Sequence, residues 1–159
     1  MKVTPFLLII FIGIIGCQQT DPPAKTKRTN STGYSEVLAK ETGADQYGMK
    51  KYVIAFLKTG PNRDLPKDKA TQLQKAHMEN IGKLAKAGKL VVAGPFLDQG
   101  DLRGIYIFNV ESVDEAKTLT ETDPAIKAGS LVMELKSWYG SAALMKVNEL
   151  HKQLAKVEF

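Results

Sequence analysis

Six consecutive apolar residues, Tyr52-Val53-Ile54-Ala55-Phe56-Leu57, constrain this chain more than any other stretch of the mature sequence. A run this short, apolar on both faces and closed by Gly60-Pro61-Asn62-Arg63-Asp64, reads as a buried strand followed by a loop. A helix is expected next, from Lys67 to Gly88, with Ala70, Leu73, Ile81 and Leu84 on one stripe and Gly88 as its stop. Leu90 to Ala93 reads as a second strand ended by Gly94-Pro95, and Phe96 to Leu102 as a hairpin loop. Arg103 to Val110 is the third strand. Ser112-Val113-Asp114-Glu115 has the S-x-x-E pattern that opens a helix, here a short one to about Thr122. Asp123-Pro124 begins a turn, and Leu131 to Trp138 alternates only in part, as an edge strand does.

The order is βαββαβ, so the expected fold class is α+β with a ferredoxin-like split unit. Both helices of such a unit lie on one face of the sheet. The other face must be solvated, bind something or be covered. RNA-recognition motifs share the topology and stack bases on aromatic residues of the third strand. In Arg103-Gly104-Ile105-Tyr106-Ile107-Phe108 the two stacking positions hold Ile105 and Ile107, which have no π face. No nucleic-acid partner is expected. If Tyr106 and Phe108 face the helices, the two isoleucines form an apolar patch on the far side. Such patches mark interfaces, and the simplest cover is a second copy. The expectation is a homodimer through the sheet face, as in dimeric α+β barrels.

The amino terminus is built differently. Lys2 is followed by an apolar run from Phe6 to Ile15, broken only by Gly13, and then by Gly16-Cys17. This describes a secretory signal, and the run is shorter than the roughly 20 residues that span a bilayer. Ile14-Ile15-Gly16-Cys17 resembles a bacterial lipobox. That implies cleavage after residue 16, lipid on Cys17 and an exported, membrane-anchored lipoprotein of the cell envelope. Cys17 is the sole cysteine, which excludes an intramolecular disulfide, and lipidation accounts for it. The expected organisation is a signal peptide at 1–16, a lipidated cysteine and flexible tether rich in Pro, Thr, Ser, Gly and Lys at 17–50, an α+β domain at 51–140, and an amphipathic helix at 141–159. A short helix around Tyr34 to Lys40 is possible within the tether. Leu144, Val147, Leu150, Leu154 and Val157 share the stripe of the last helix. Of the formal net charge of +5, Lys2 carries one unit, and the rest is interspersed with acids as on a solvated surface.

Two histidines are present. His151, in the last segment, is expected at the surface. His77 falls on the stripe of Leu73, Ile81 and Leu84, so its ring points toward the sheet. A core histidine bonded to backbone and a general base both fit that position. Asp123 before Pro124 is a standard helix start, Asp as N-cap and Pro in the first turn. There is no G-x-S-x-G elbow, phosphate loop or dinucleotide fingerprint. With one histidine and scattered carboxylates, neither a metal nor another cofactor is expected. Arg63 and Arg103 are the best anchors for an anionic or phenolic ligand, with Asp101 a further contributor.

The segments AHMENIGKLAKAGKLVVAGPF, LRGIYIF and ESVDEAKTLTETDPAIKAGSLVMELKSW, in this order over about residues 51–140, resemble the YCII (YciI-like) family. The resemblance rests on His77, the Gly88 stop, Ala93-Gly94-Pro95, Glu115-Ala116, Asp123-Pro124 and Ala128-Gly129. It implies a fold similar to the muconolactone-isomerase-like dimeric α+β barrels and a His/Asp pair, His77 and Asp123, as the active site. It also implies proton-transfer chemistry of lyase, isomerase or dehalogenase type, one relative being associated with removal of chloride from a chlorinated hydroxyquinol. Beside that reading stand a non-catalytic module binding a small ligand and a structural dimer at the envelope.

Overall fold

The computed structural model describes residues 33–157. The expected signal segment, Cys17 and the first part of the expected tether lie outside the described residues. The folded unit begins at Ser35, sixteen residues earlier than the expected domain start at Lys51. Ser35 caps a helix, α1 (Glu36–Thr42), by accepting from Leu38 N, and Gly43 ends it at φ 69°. Thr42 is buried, Glu41 pairs with Lys146 at 3.0 Å, and the Asp45 carboxylate accepts from Tyr47 N and Met49 N. Residues 35–50 therefore belong to the domain. Their apolar residues are too few to show a period, because capping and polar contacts do most of the anchoring.

Strand β1 (Met49–Thr59) leads to α2 (Lys67–Lys86), β2 (Leu90–Pro95) and β3 (Leu102–Phe108). Then come α3 (Val113–Thr120), α4 (Pro124–Lys127) and β4 (Leu131–Ser141), a 3-10 turn (Ala142–Lys146) and α5 (Val147–Leu154). The sheet order is β2-β3-β1-β4, with each neighbouring pair antiparallel. This is the ferredoxin-like arrangement, with β1 inside and β4 at an edge. The chain is an α+β fold. Alternation sorts the side chains to the two faces. Val53, Ala55, Leu57, Tyr106 and Phe108 meet Leu84, Ala116 and the half-buried Ile81 and Leu119 of the helices.

On the opposite face Tyr52, Val91 and Ile107 are buried beneath Leu144 and Met145. The apolar patch foreseen there is thus covered in part by the chain's own carboxyl-terminal segment. That segment is not one continuous helix. The 3-10 turn lays Leu144 and Met145 on the sheet, and the Asn148 amide donates to Leu90 O at 2.8 Å. Leu150, Leu154 and Val157 remain exposed.

Helix α2 stops as expected, with Gly88 at φ 68° after the cap Ala87. Its apolar stripe is used only toward the end. Leu84 is buried and Ile81 half-buried, whereas Leu73 is half-buried and Ala70 exposed. Residues 67–72 at the start of α2 are exposed, and burial on the helix begins at Leu73, one turn before His77.

Two glycines fix the far end of this layer. A Cβ on Gly60 would lie 2.2 Å from the carbonyl oxygen of Gly129, so β1 and the turn after α4 touch backbone to backbone. The contact is closed by Gly60 N donating to Ser130 O and Asn62 N donating to Gly129 O, each 3.0 Å.

Candidate active site: a buried Asp–His–Tyr chain

The middle of α2 faces the segment that opens α4. Asp123 caps α4, its Oδ1 accepting from Ala125 N at 2.8 Å. The same carboxylate meets His77 Nδ1, with Oδ2 at 2.8 Å and Oδ1 at 3.0 Å. One side chain therefore both caps α4 and holds the His77 ring. His77 is 8% exposed and Asp123 1%. With Asp123 as a carboxylate, Nδ1–H donates to it, and the other nitrogen of the neutral ring, Nε2, is left as an acceptor. The Tyr106 hydroxyl, 3.2 Å away, donates to Nε2. The two rings are stacked at 22° with centroids 6.2 Å apart, and Tyr106 meets Phe108 edge-on. The result is a continuous hydrogen-bonded chain from Asp123 through His77 to Tyr106.

Burial, and secondarily the negative charge of Asp123, push the Tyr106 hydroxyl well above the ordinary tyrosine value near 10. The phenol stays protonated wherever the protein works. The unfolded chain ionises this tyrosine near pH 10, whereas the folded one holds its proton to higher pH. The resulting stabilisation is complete below pH 10 and is lost as pH rises beyond it. Tyr106→Phe removes that loss. Its alkaline unfolding midpoint, followed by circular dichroism, is expected at higher pH than in the parent chain. An unchanged midpoint would mean that Tyr106 ionises freely in the fold.

A second bridge runs beside the first. The Thr122 hydroxyl donates its one proton to Leu119 O at 2.7 Å, so the buried Asn80 side-chain amide, 3.0 Å from Thr122 Oγ1, meets an acceptor there. Neither Tyr106 nor Asn80 stood out as a site residue from sequence. Tyr106 was legible only as a helix-facing strand position, although a buried tyrosine hydroxyl calls for a partner. Asn80 stands three residues after His77, on the same helical face.

The expected ligand anchors are not gathered at His77. Arg63 is exposed in the loop before α2. Arg103 falls in a bulge of the β1–β3 ladder, where Leu57 pairs with Gly104 and Lys58 with Leu102. It donates to Gly100 O at 3.2 Å. Asp101 is exposed, and its carbonyl accepts from Thr59 N and Thr59 Oγ1. Among the described residues no hydrogen bond or ion pair joins these three to His77, Asp123 or Tyr106. His151 is exposed on α5. Two surface recesses, about 260 and 250 Å³, run along Lys51, Glu111 and Tyr139, away from the dyad. No cluster of metal-binding side chains occurs among the described residues.

Comparison with known proteins places this geometry in context. Over 62 residues the chain is 31% identical to the uncharacterized protein YjpA of Bacillus subtilis (strain 168), a match covering 39% of this chain and 71% of that protein. Among solved structures, 5-chloro-2-hydroxyhydroquinone dehydrochlorinase (TftG) from Burkholderia phenoliruptrix AC1100, in complex with 2,5-dihydroxybenzoquinone, is similar at 27% identity and a TM-score of 0.42. The match covers 56% of this chain and 93% of that one. The family model of the YCII-related domain matches residues 51–139, a span that takes in β2, β3, most of β1 and β4, and His77, Tyr106 and Asp123, and the chain belongs to that family.

Proposed function

We propose that this protein is an exported, lipid-anchored enzyme that moves a proton to or from a small molecule. His77 acts as base and acid, and Asp123 holds its ring. The observation that carries the reading is the buried Asp123–His77–Tyr106 chain. A structural histidine needs one satisfied protonation state. This one is satisfied in two. Neutral, it donates to Asp123 and accepts from Tyr106. Protonated at Nε2, it donates from both nitrogens, and the Tyr106 hydroxyl turns about its C–O bond to accept. The buried carboxylate stabilises the imidazolium that forms. Reaction types that need only a proton relay, such as isomerisation, or elimination of a leaving group beside an acidic C–H, fit such a site.

The test is a ligand-detected screen of the mature chain against phenols and aromatic acids, with His77→Gln as control. A compound is expected to bind and turn over in the parent chain. His77→Gln is expected to lose about 10²–10⁴-fold in rate while keeping a cooperative melt. Turnover that survives His77→Gln would sink the reading.

A second reading is favoured by one observation: His77 is nearly closed off, and neither recess reaches it. In that reading the domain is a structural or ligand-holding module. We further propose a homodimer through the part of the sheet face that Leu144 and Met145 leave open, around Ile54 and Ile105. Light scattering that finds only monomer at micromolar concentration would remove it.

A further inference from the structure

Helix α1 carries its apolar residues on the outside. It buries Thr42, whose hydroxyl donates to Leu38 O at 2.8 Å, and exposes Val37 and Leu38. A surface helix that packs only on its own domain does the reverse. Helix α5 shares the trait, with Leu150 and Leu154 both exposed. One residue joins the two helices. Lys146 Nζ meets Glu41 at 3.0 Å and Glu149 at 3.1 Å. Val37 and Leu38 stand four and three residues before Glu41, and Leu150 and Leu154 stand four and eight after Lys146. Side chains at these spacings share a helical face, so the Glu41–Lys146 pair sets the two apolar faces side by side. The four side chains form one exposed strip, and such a strip marks an interaction surface. The acids at its centre, Glu41 and Glu149, are both taken by Lys146. Lys40, Lys152 and Lys156 are exposed on the same two segments, with Glu36 as the opposing charge.

We propose that this strip rests on a lipid bilayer, the one that holds the protein by Cys17. The inference rests on the lipid-anchor reading proposed above. The folded unit begins at Ser35, the cap of α1. Only 17 residues, 18–34, therefore lie between Cys17 and the helix that bears half of the strip. Even fully extended they span at most roughly 60 Å. The chain from the anchor enters the domain at the strip itself. The β2–β3 hairpin lies at the other end of β1: Gly48, before β1, accepts from Ala142 N, whereas Thr59, its last residue, donates to Asp101 O. Apolar side chains rimmed by lysines match the boundary between acyl chains and phosphate headgroups, where the lysine stems lie along the apolar layer and the ammonium groups meet the phosphates. Four side chains need little affinity of their own, because the anchor keeps lipid at a high local concentration.

The experiment uses the full mature chain, isolated from bacterial membranes and placed on vesicles of phosphatidylcholine and phosphatidylglycerol with brominated acyl chains. A fluorescent dye is attached to one new thiol at a time, in Val37→Cys, Leu154→Cys or Leu97→Cys. Leu97 is 95% exposed in the β2–β3 hairpin and serves as the control. Bromine is expected to quench the dye at 37 and at 154 severalfold more than at 97. Adding Leu150→Glu to Val37→Cys is expected to remove most of the quenching at 37 while the protein still floats with the vesicles. Flotation of the parent chain reads the anchor separately. If the parent chain does not float, the anchor reading falls and takes the inference with it. If it floats but the three dyes are quenched alike or not at all, the anchor stands and the inference falls. Quenching at 37 that survives Leu150→Glu overturns it as well. So does a dye at 154 that becomes shielded from aqueous iodide as protein concentration rises in detergent without vesicles, because a second copy then covers the strip.

Discussion

Asp123→Ala is expected to cost about 2–4 kcal/mol of folding stability, a large share of the roughly 5–15 kcal/mol of an ordinary domain. Two losses combine. Helix α4 loses the side chain that accepts from Ala125 N, worth about 1 kcal/mol. His77 keeps a buried Nδ1–H with no acceptor, worth about 1–3 kcal/mol. Urea unfolding of the two chains side by side measures the sum. Asp123→Asn separates the roles. Asparagine caps a helix as well as aspartate does, so stability is expected to fall by about 1 kcal/mol or less. Its amide, however, sets a donor where Oδ2 accepted from Nδ1. The imidazole proton is driven to Nε2, which then donates to Tyr106 and no longer serves as a base. A comparable tautomer change in serine proteases costs about 10⁴ in rate, and a loss of that order is expected for any turnover found. If Asp123→Ala unfolds at the same urea concentration as the parent chain, the carboxylate does not hold the site together.

Cys17→Ser is expected to move the protein from the membrane fraction to the soluble one. A single acyl chain binds a bilayer only marginally, while two or more hold it firmly, and the proposed modification supplies more than one. Without the thiol there is nothing to lipidate, and the ten-residue stretch Phe6 to Ile15 is too short to span the roughly 30 Å of hydrocarbon. Detergent-phase partitioning of the two chains reads the difference directly. Cys17→Ser protein that remains with the membrane through alkaline carbonate would show that something other than lipid on Cys17 holds it there.

The order and type of the six central elements are legible in the sequence because each carries its own period and stop. Tyr52–Leu57 is apolar throughout, Ser112 and Asp123 are caps, and Gly88 ends α2. Two features are not legible, each for a physical reason. The 3-10 turn at Ala142–Lys146 follows from the sheet surface that Leu144 and Met145 fit, so one helical stripe drawn through 144–157 merges two elements. Residues 35–48 join the fold through caps and ion pairs that leave no hydrophobic rhythm. At the site, His77 and Asp123 carry recognisable local patterns. Tyr106 and Asn80 acquire meaning only when β3 and the Thr122–Asp123 segment are brought to α2.

The backbone contact between Gly60 and Gly129 has a consequence for Asp123, six residues upstream of Gly129. The geometry of the dyad is set partly by a place where no side chain exists. Any residue larger than glycine at position 60 acts as a wedge, prising the α4 turn from β1 and carrying Asp123 off His77. The alignment of the proposed proton relay is thus vulnerable at a point that bears no polar group. A search for its determinants confined to polar side chains passes over Gly60.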